Sequence, residues 1–547
     1  MTTIDSISEL AHWLRRTGHR TENVPCTIAP SVISALDRIA TLFSQCSRGD
    51  QRLMSASLFI STLREHAGTP DRLSEFMAWL ATAAPQRAAR VADLLSAVES
   101  YRGDQIELAA ALDSFADHIG TPELARDFIN LTLAHAERTC ARYSDPRYPA
   151  AVSSLDDFQA LPTLRRRELE MDLPSICADG EPIDFYTATS ATTTGRSLLV
   201  PHCRAEHAAL SDWGLMGETA PAPSGMTLRL MPAGRLIGAP LGASDTVLAT
   251  YETNALHENV WDLWDYIAGQ VFAEFPSPKG TRQIETIHAT PSFGLILLTK
   301  YMLQRGLSPR QSAVRTLLVT GSWIGPVTRR WLEDSWGAQL HTVYSCSELV
   351  GGAVECPAQP GRYHFAPNLY PEVLDAQGRQ VAEGAQGGIH LTALYPFQRS
   401  AAFLRYEVGD WGRWGGRGPC PCGLHGPAIE LLGRTTDVLT VTSADGTRWP
   451  IPPVPIRNAL DRFDCVPKIP RPQYRLRIEP GNRIELRVDV ECYALAGADW
   501  QYRTRNAIAA AILDEDRSIG GLASAGELNL DVNLFSRSKL TNISSVI

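Results

Sequence analysis

The chain has 547 residues, of which 44% are hydrophobic and 20% charged, the composition of an ordinary globular protein. Its formal net charge of −9 and its lack of long basic runs argue against binding to nucleic acid or to an anionic membrane surface. It contains no run of about 18 apolar residues, so we expect no membrane span. The first residues carry acids where a secretion signal needs bases. The 11 cysteines are mostly isolated, which indicates reduced thiols and a cytoplasmic protein.

Residues 1–125 are predicted to form an all-α extension. Segments 31–43, 71–84 and 88–98 carry apolar residues at three- and four-residue spacing, which is typical of amphipathic helices. No polar cluster in them suggests chemistry. We expect this extension to pack on the rest of the chain or to bind a partner.

From residue 126 to residue 433, short β-rich runs alternate with helical patterns. The runs at 226–232 and 315–322 read as strands, and 293–306 reads as a helix. This alternation predicts an α/β body with parallel strands. Residues 434–547 read as strands followed by a helix, which predicts a small α+β domain.

The stretch TATSATTTGRS at 187–197 carries seven hydroxyl side chains in eleven residues. Hydroxyls and free backbone N–H groups can surround the oxygens of a phosphate, and Gly195 lets the backbone come close. Arg196 adds a positive charge. The ending Gly-Lys-Ser/Thr of a P-loop is missing, so a solvated loop is the alternative interpretation.

Four further stretches carry chemistry-bearing residues in a fixed order: HATPS (288–292), YSCSELVGG (344–352), FLRYEVGDWGRW (403–414) and GRTTDVL (433–439). With the hydroxyl-rich stretch they resemble the adenylate-forming superfamily of acyl-CoA ligases, and within it the phenylacetate-CoA ligase-like branch. The family's Tyr-Gly-x-Ser-Glu is similar to Tyr344–Glu348, its Tyr-Arg-x-Gly-Asp to Tyr406–Asp410, and its Gly-Arg-x-x-Asp to Gly433–Asp437. The resemblance extends over about residues 130–547. It includes a segment at 153–169 with Leu-Pro followed by a basic helix start.

The resemblance implies a large multi-layer α/β adenylating body and a small, mobile α+β C-terminal domain. It also implies an ATP site, whose residues are Thr192, Thr193, Thr194, Gly195, Gly321, Ser322, Tyr344, Ser347, Asp410 and Arg434. The threonines and Gly195 would hold the β- and γ-phosphates, and Tyr344 would stack on adenine. Asp410 would accept both ribose hydroxyls, which suits the two oxygens of a carboxylate. For Asp410 and Arg434 the alternative is a surface ion pair.

Glu348, Arg434 and Lys539 are the implied catalytic residues. Glu348 would bind Mg²⁺, and Arg434 would reach ribose or phosphate. The family brings a lysine from its C-terminal domain to the carboxylate and the α-phosphate. Lys539 is the only lysine after Lys468, so it is the candidate; a solvated lysine is the alternative.

Some positions depart from the family pattern. Thr192 stands where the family has glycine, Ser345 follows the tyrosine in place of glycine, and Glu407 replaces an arginine. Trp323 stands where the family often has an acidic residue beside adenine.

Cys356, His364, Cys420 and Cys422 form a candidate zinc site. Three thiols and one imidazole make the closed tetrahedral set of a structural zinc ion, and the branch carries similar Cys…His and Cys-x-Cys elements. His425 is a rival for the fourth ligand. The alternative is four unconnected side chains.

The implied activity is ATP-dependent activation of a carboxylic acid, aryl or arylacetic by analogy with the branch, followed by transfer to a thiol such as that of coenzyme A. A carrier-protein phosphopantetheine or an amine is the alternative acceptor. An inactive ligase-fold binding module is the alternative from another functional class. A carrier protein and a second copy of the chain are further candidate partners.

Overall fold

The computed structural model describes residues 122–189, 198–203, 206, 226–232, 246–251, 260–277, 280–289, 292–366, 368–395, 397–418, 420–422, 426–467, 474–491 and 497–535. Residues 1–121 of the predicted helical extension lie outside this part of the chain. So do Thr192, Thr193, Thr194 and Gly195 of the predicted phosphate loop, together with His425 and Lys539.

The described helices are α1 (Pro122–Thr139), α2 (Leu155–Gln159), α3 (Arg166–Asp172), α4 (Val260–Phe272), α5 (Ser292–Gln304), α6 (Pro326–Trp336), α7 (Pro453–Asp461), α8 (Ala498–Glu515) and α9 (Arg517–Ser524). Short 3₁₀ turns occur at Ala141–Ser144, Leu173–Ile176, Pro309–Gln311 and Thr435–Asp437.

The described strands are β1 (Phe185–Ala188), β2 (Leu199–His202), β3 (Met226–Pro232), β4 (Thr246–Tyr251), β5 (Phe275–Ser277), β6 (Gly280–Arg282), β7 (Ile284–Ala289), β8 (Thr316–Thr320), β9 (Gln339–Tyr344), β10 (Ala353–Cys356), β11 (Gln359–Phe365), β12 (Leu369–Leu374), β13 (Gln386–Ala393), β14 (Tyr406–Trp414), β15 (Ala428–Arg434), β16 (Leu439–Thr442), β17 (Arg448–Ile451), β18 (Tyr474–Glu479), β19 (Arg483–Asp489) and β20 (Asn529–Phe535).

One sheet of eleven described strands forms the body, in the order β12-β13-β14-β15-β11-β10-β9-β8-β7-β3-β4. The half from β9 to β4 is parallel, and its helices α4, α5 and α6 share a core with Leu228, Ile287 and Leu317. The half from β10 to β12 is antiparallel. The carboxyl ends of parallel strands meet at one edge of the sheet, where ligands bind in open α/β sheets.

Helix α6 shows why these segments fold as they do. Pro326 occupies its first turn, Gly337 ends it with a φ of 61°, and Thr328, Leu332 and Trp336 are its buried residues. Those three lie four residues apart and therefore share the face that packs on the sheet. Proline at the start and glycine in the left-handed conformation at the end are favourable at these positions.

A separate core lies between Val441 and Leu534. It joins the hairpin β16–β17, helices α7, α8 and α9, and a sheet in the order β18-β19-β20. The predicted α/β body with a small α+β domain is therefore confirmed. Among the described residues, no helix combines the length and the apolar character that a membrane span requires.

Candidate active site and metal centre

Tyr344, Asp410 and Arg434 come together at the site, although β11 and β10 lie between β15 and β9 in the sheet. Tyr344 Oη donates a hydrogen bond of 2.8 Å to Asp410 Oδ2, and Arg434 Nη1 lies 3.2 Å from Asp410 Oδ1. Asp410 and Arg434 are register partners on β14 and β15. The structure therefore brings together three residues that the sequence places up to 90 positions apart.

The environment of Asp410 opposes its charge. Burial raises the pKa of its carboxyl, although Arg434 and the hydrogen bond from Tyr344 act in the other direction. Burial also raises the pKa of Tyr344 well above its ordinary value, so its hydroxyl stays protonated and donates. For Arg434, burial is the largest effect and lowers the pKa, but Asp410 and its neighbours together outweigh it and raise the value.

Gly321 and Ser322 follow β8 directly and are exposed. Thr320 at the end of β8 pairs with Val343, the residue before Tyr344, in a parallel register. Gly321 has a φ of 71°, a conformation that glycine adopts without steric cost. The predicted adenine-binding residues thus adjoin Tyr344 at the carboxyl edge of the sheet.

Glu348 is buried and bound by two side chains. Arg166 Nη1 and Tyr406 Oη each donate to Glu348 Oε1 at 2.9 Å. The structure shows no hydrogen bond to Glu348 Oε2 from a described residue. Oxygen ligands suit Mg²⁺, so this second oxygen is the atom through which Glu348 can bind a cation.

Arg166 is a site residue to which the sequence analysis assigned no role. Its Nη2 donates to Thr189 Oγ1 at 2.9 Å, and its Nε lies 3.3 Å from Glu170 Oε1. Thr189 Oγ1 also accepts from the Leu198 amide at 2.9 Å. One guanidinium therefore connects Glu348 to Thr189, which follows β1 and belongs to the hydroxyl-rich stretch.

The position of Arg166 follows from the chain before it. Leu164 pairs with Tyr406 in a parallel bridge, with the Leu164 amide donating to the Arg405 carbonyl at 3.1 Å. Arg405 is itself buried and paired with Glu372 at 3.0 Å. This pairing fixes the start of α3 beside Tyr406. The signal in the sequence was the basic helix start after Leu-Pro.

The hairpin β1–β2 is tied to the motif that contains Glu348. Thr187 Oγ1 donates to the Ser347 carbonyl at 2.6 Å and lies 2.8 Å from His202 Nε2. The Ser347 side chain is exposed. The hairpin β1–β2 and the Tyr344–Glu348 segment are therefore neighbours in the fold.

The four predicted zinc ligands form one cluster. The donor atoms of Cys356, His364, Cys420 and Cys422 all lie within 4.8 Å of one another. The Cys356 and Cys420 sulfurs are 3.6 Å apart, and Cys422 Sγ is 3.5 Å from His364 Nε2. Bonds of about 2.3 Å to sulfur and about 2.0 Å to nitrogen give tetrahedral edges of about 3.5–3.8 Å, so the donor set fits a zinc ion.

The chemistry of these ligands agrees with that fit. Cys356 ends β10 and His364 lies on β11 of the same hairpin, while Cys420 and Cys422 follow β14. Burial lowers the pKa of His364, which favours the neutral imidazole that a metal needs. Burial alone would raise the pKa of Cys420, but hydrogen bonds from Cys422 and Cys356 lower it overall.

No protein-family model and no curated protein matches this chain. The structure is similar to 2-hydroxyisobutyryl-CoA ligase in the postadenylation state with 2-HIB-AMP, with a TM-score of 0.57 and 19% identity over 78% of this chain and 88% of that one. The same enzyme with R3-HIB-AMP gives a TM-score of 0.56 at 18% identity, over the same shares of 78% and 88%.

An open conformation of that ligase with 2-HIB-AMP and CoA gives a TM-score of 0.54 at 18% identity, over 78% of this chain and 90% of that one. At identities this low, the similarity between the structures shows a shared fold and nothing more. The phenylacetate-CoA ligase-like branch stays a prediction. The chain therefore has the fold of the adenylate-forming acyl-CoA ligases, as its motifs predict.

Proposed function

We propose that this protein is an AMP-forming acid–thiol ligase. It activates a carboxylic acid with ATP, releases pyrophosphate, and transfers the acyl group from the acyl-adenylate to a thiol. The observation that carries the proposal is the joint placement of two clusters around one sheet edge. These are the Tyr344–Asp410–Arg434 cluster and the Glu348–Arg166 pair. An aryl or arylacetic acid and coenzyme A are the substrates that the motif resemblance favours.

The first cluster supports binding of a nucleoside. Among the described residues, each oxygen of Asp410 has one partner, Tyr344 or Arg434, and keeps a second lone pair for a ribose hydroxyl. The hydrogen bond to Asp410 fixes the Tyr344 hydroxyl and therefore its ring. A fixed ring is a pre-organised surface for stacking an adenine base.

The second cluster supports binding of the phosphates. Mg²⁺ bound at Glu348 Oε2 would neutralise charge on the phosphate oxygens. Arg166 holds the carboxylate of Glu348 by its other oxygen and binds Thr189 at the base of the loop. Thr192, Thr193, Thr194 and Gly195 would donate to the β- and γ-phosphates. Such positioning and charge stabilisation supply most of the catalysis in phosphoryl transfer chemistry.

Lys539 is the proposed cation for the acid half of the reaction. A carboxylate that attacks the α-phosphorus brings two anions together, and an ammonium group between them lowers the barrier. Coenzyme A, a carrier-protein phosphopantetheine and an amine are the proposed acceptors, in that order. We also propose that the protein is cytoplasmic and that the zinc ion is structural, since four protein ligands leave no open position for a substrate.

The proposal is tested by separating the two half-reactions. Lys539→Ala should lower acid-dependent ATP–pyrophosphate exchange by about two to four orders of magnitude, because the lysine acts in adenylation. Transfer from chemically prepared acyl-adenylate to coenzyme A should continue at the parental rate. Equal exchange rates in the variant and the parent would refute the role of Lys539. Absence of thioester in the parent with every thiol tested would refute the ligase.

A further inference from the structure

Asp461, the last residue of α7 in the small domain, caps a helix of the body. Its Oδ2 accepts hydrogen bonds from the amides of Val327 and Thr328 at 2.8 and 3.0 Å, and its Oδ1 accepts from Thr328 Oγ1 at 2.6 Å. An N-cap side chain normally accepts from these second and third helix positions. The N-cap residue of α6 is Gly325, which has no side chain, so the cap comes from a residue 136 positions away.

Glycine at position 325 is what allows this approach. A Cβ atom there would lie 2.2 Å from Asp461 Oδ2, although the φ of −74° suits any residue. Asp461 is 1% exposed, so its carboxylate is held away from water by the contact. A buried carboxylate is stable only where donors replace its hydration, and three donors do so here.

Two more contacts join α7 to the body at the same face. The Trp323 indole donates to Asn458 Oδ1 at 3.1 Å. Gly433, at the end of β15 with a φ of 125°, has Pro453 against it, where a Cβ would lie 2.3 Å from Pro453 Cγ. The contact of α7 with the body therefore extends along the whole helix.

The segment that receives Asp461 is the segment predicted to border the nucleotide. Gly321 and Ser322 are the predicted adenine-binding residues, and Trp323 and Gly325 of the same five residues contact α7. We define residues 321–325 as the nucleotide loop. One end of this short loop would contact the ligand, and the other end lies at the domain interface. Restricting the motion of either end therefore restricts the motion of the other.

We propose that Asp461 is a positioning residue that docks the small domain onto the nucleotide loop, so that ATP occupancy and docking stabilise each other. By thermodynamic reciprocity, ATP that favours docking is itself bound more tightly by the docked form. The docking part of this inference stands on the contacts above. The coupling part rests on the proposed function.

Hydrogen exchange of the full-length protein tests the docking part without ATP. Asp461→Ala should raise the exchange rates of the Val327 and Thr328 amides about tenfold, the scale of one lost helix cap. Gly325→Ala keeps the carboxylate but displaces it, so it should have the same effect. Asp464→Ala, an exposed aspartate three residues on, should match the parent. Amides of β18–β20 should match the parent in all variants, whereas a general weakening of the small domain would expose them.

ATP tests the coupling part. It should slow exchange at Val327 and Thr328 in the parent and lose that effect in Asp461→Ala, whose ATP affinity should fall several-fold. Parental exchange at both amides in Asp461→Ala and Gly325→Ala would overturn the docking role, and if the first variant does not fold, the second decides. If ATP slows hydrogen exchange at these amides equally in the parent and in the variants, the coupling is overturned. Failure of the parent to bind ATP would refute the proposed function and the coupling, while the ligand-free experiment still decides docking.

Discussion

Asp410 is partly buried between one hydroxyl and one guanidinium, and this burial raises the pKa of its carboxyl despite Arg434. A raised pKa means that folding favours the protonated carboxyl. The ionised form therefore costs stability at neutral pH, and stability gained from protonation is lost as pH rises through the folded pKa. A carboxylate that lowers the stability of the fold when it is ionised is more typical of a binding site than of a structural ion pair, because a ligand can supply the missing hydrogen-bond donors.

This environment predicts how ATP binding depends on pH. Ribose hydroxyls donate to the ionised carboxylate, so affinity should fall as pH drops through a value above the ordinary aspartate pKa of about 3.9. Asp410→Asn should remove this dependence and lower ATP affinity by about tenfold or more, the scale of a hydrogen bond to a charged group. Its melting temperature without ligand should be equal to the parent's or higher. Calorimetric titration over the acidic to neutral range measures this, and a pH-dependent Asp410→Asn variant would contradict it.

Arg166 contacts Glu348, Thr189 and Glu170 through three different nitrogens. Lysine has the same charge, but its donors all lie on one compact nitrogen and cannot reproduce the planar arrangement that reaches these three partners. Arg166→Lys should therefore lower the rate of acid-dependent ATP–pyrophosphate exchange by about ten- to a hundredfold, the scale of one or two charge-assisted hydrogen bonds. The neighbouring Arg167→Lys is the matched control, because Arg167 is exposed. Equal activity in the two variants would contradict a role for Arg166 beyond its charge.

At the scale of elements, the hairpin β10–β11 and the turn after β14 are joined by the four-residue metal cluster. Cys356 and Cys420 are 64 positions apart, so a bound ion would close a long segment of chain. Ligand binding energy at a closed site is folding energy. A bound ion would therefore stabilise the antiparallel half of the sheet, on which Asp410 lies.

Purified protein should contain about one equivalent of zinc by elemental analysis. Cys420→Ser should lose the metal and lower the melting temperature by at least about 5 °C. The loss of one ligand releases the ion, which lowers the free energy of unfolding by several kcal/mol. Cys177→Ser, a half-buried thiol outside the cluster, is the control and should keep both properties. Protein without metal that melts normally and keeps full activity would refute the zinc site.

The elements were easier to predict than their contacts. Strand β3 and helix α5 follow from local patterns of apolar residues, because burial on a sheet or helix imposes those periods. The site residues from Tyr344 to Arg434 were found by motif order. Arg166 and Asp461 were not assigned, since their partners lie 182 and 133 or more positions away and nothing local separates them from other surface charges.

At the scale of the whole molecule, α7 packs in the core of the small domain and also contacts the body. The body core includes Phe128, Ile129 and Leu133 of α1, and the small-domain core includes Ile456 of α7. Helix α1 crosses the predicted boundary at residue 125 and belongs to the body by its packing. The domain limits 1–125, 126–433 and 434–547 remain predictions.

This packing decides where the N-terminal segment can be removed. A chain that starts at Pro122 keeps all of α1 and should retain acid-dependent exchange, because no predicted site residue precedes it. It should lose binding to any carrier protein or second copy that the first residues contact. ATP–pyrophosphate exchange assays and gel filtration measure the two effects. A folded, soluble truncated protein without pyrophosphate exchange would show instead that the segment before Pro122 completes the active site.

Acid-dependent exchange of labelled pyrophosphate into ATP tests the central claim most directly, since it requires only the acid, ATP and the adenylating site. The account predicts exchange that appears with one or more members of a panel of aryl, arylacetic and aliphatic acids, requires Mg²⁺, and is lost in Glu348→Gln. ATP binding without exchange for any acid would contradict the account and would identify the protein as a binding module with a ligase fold.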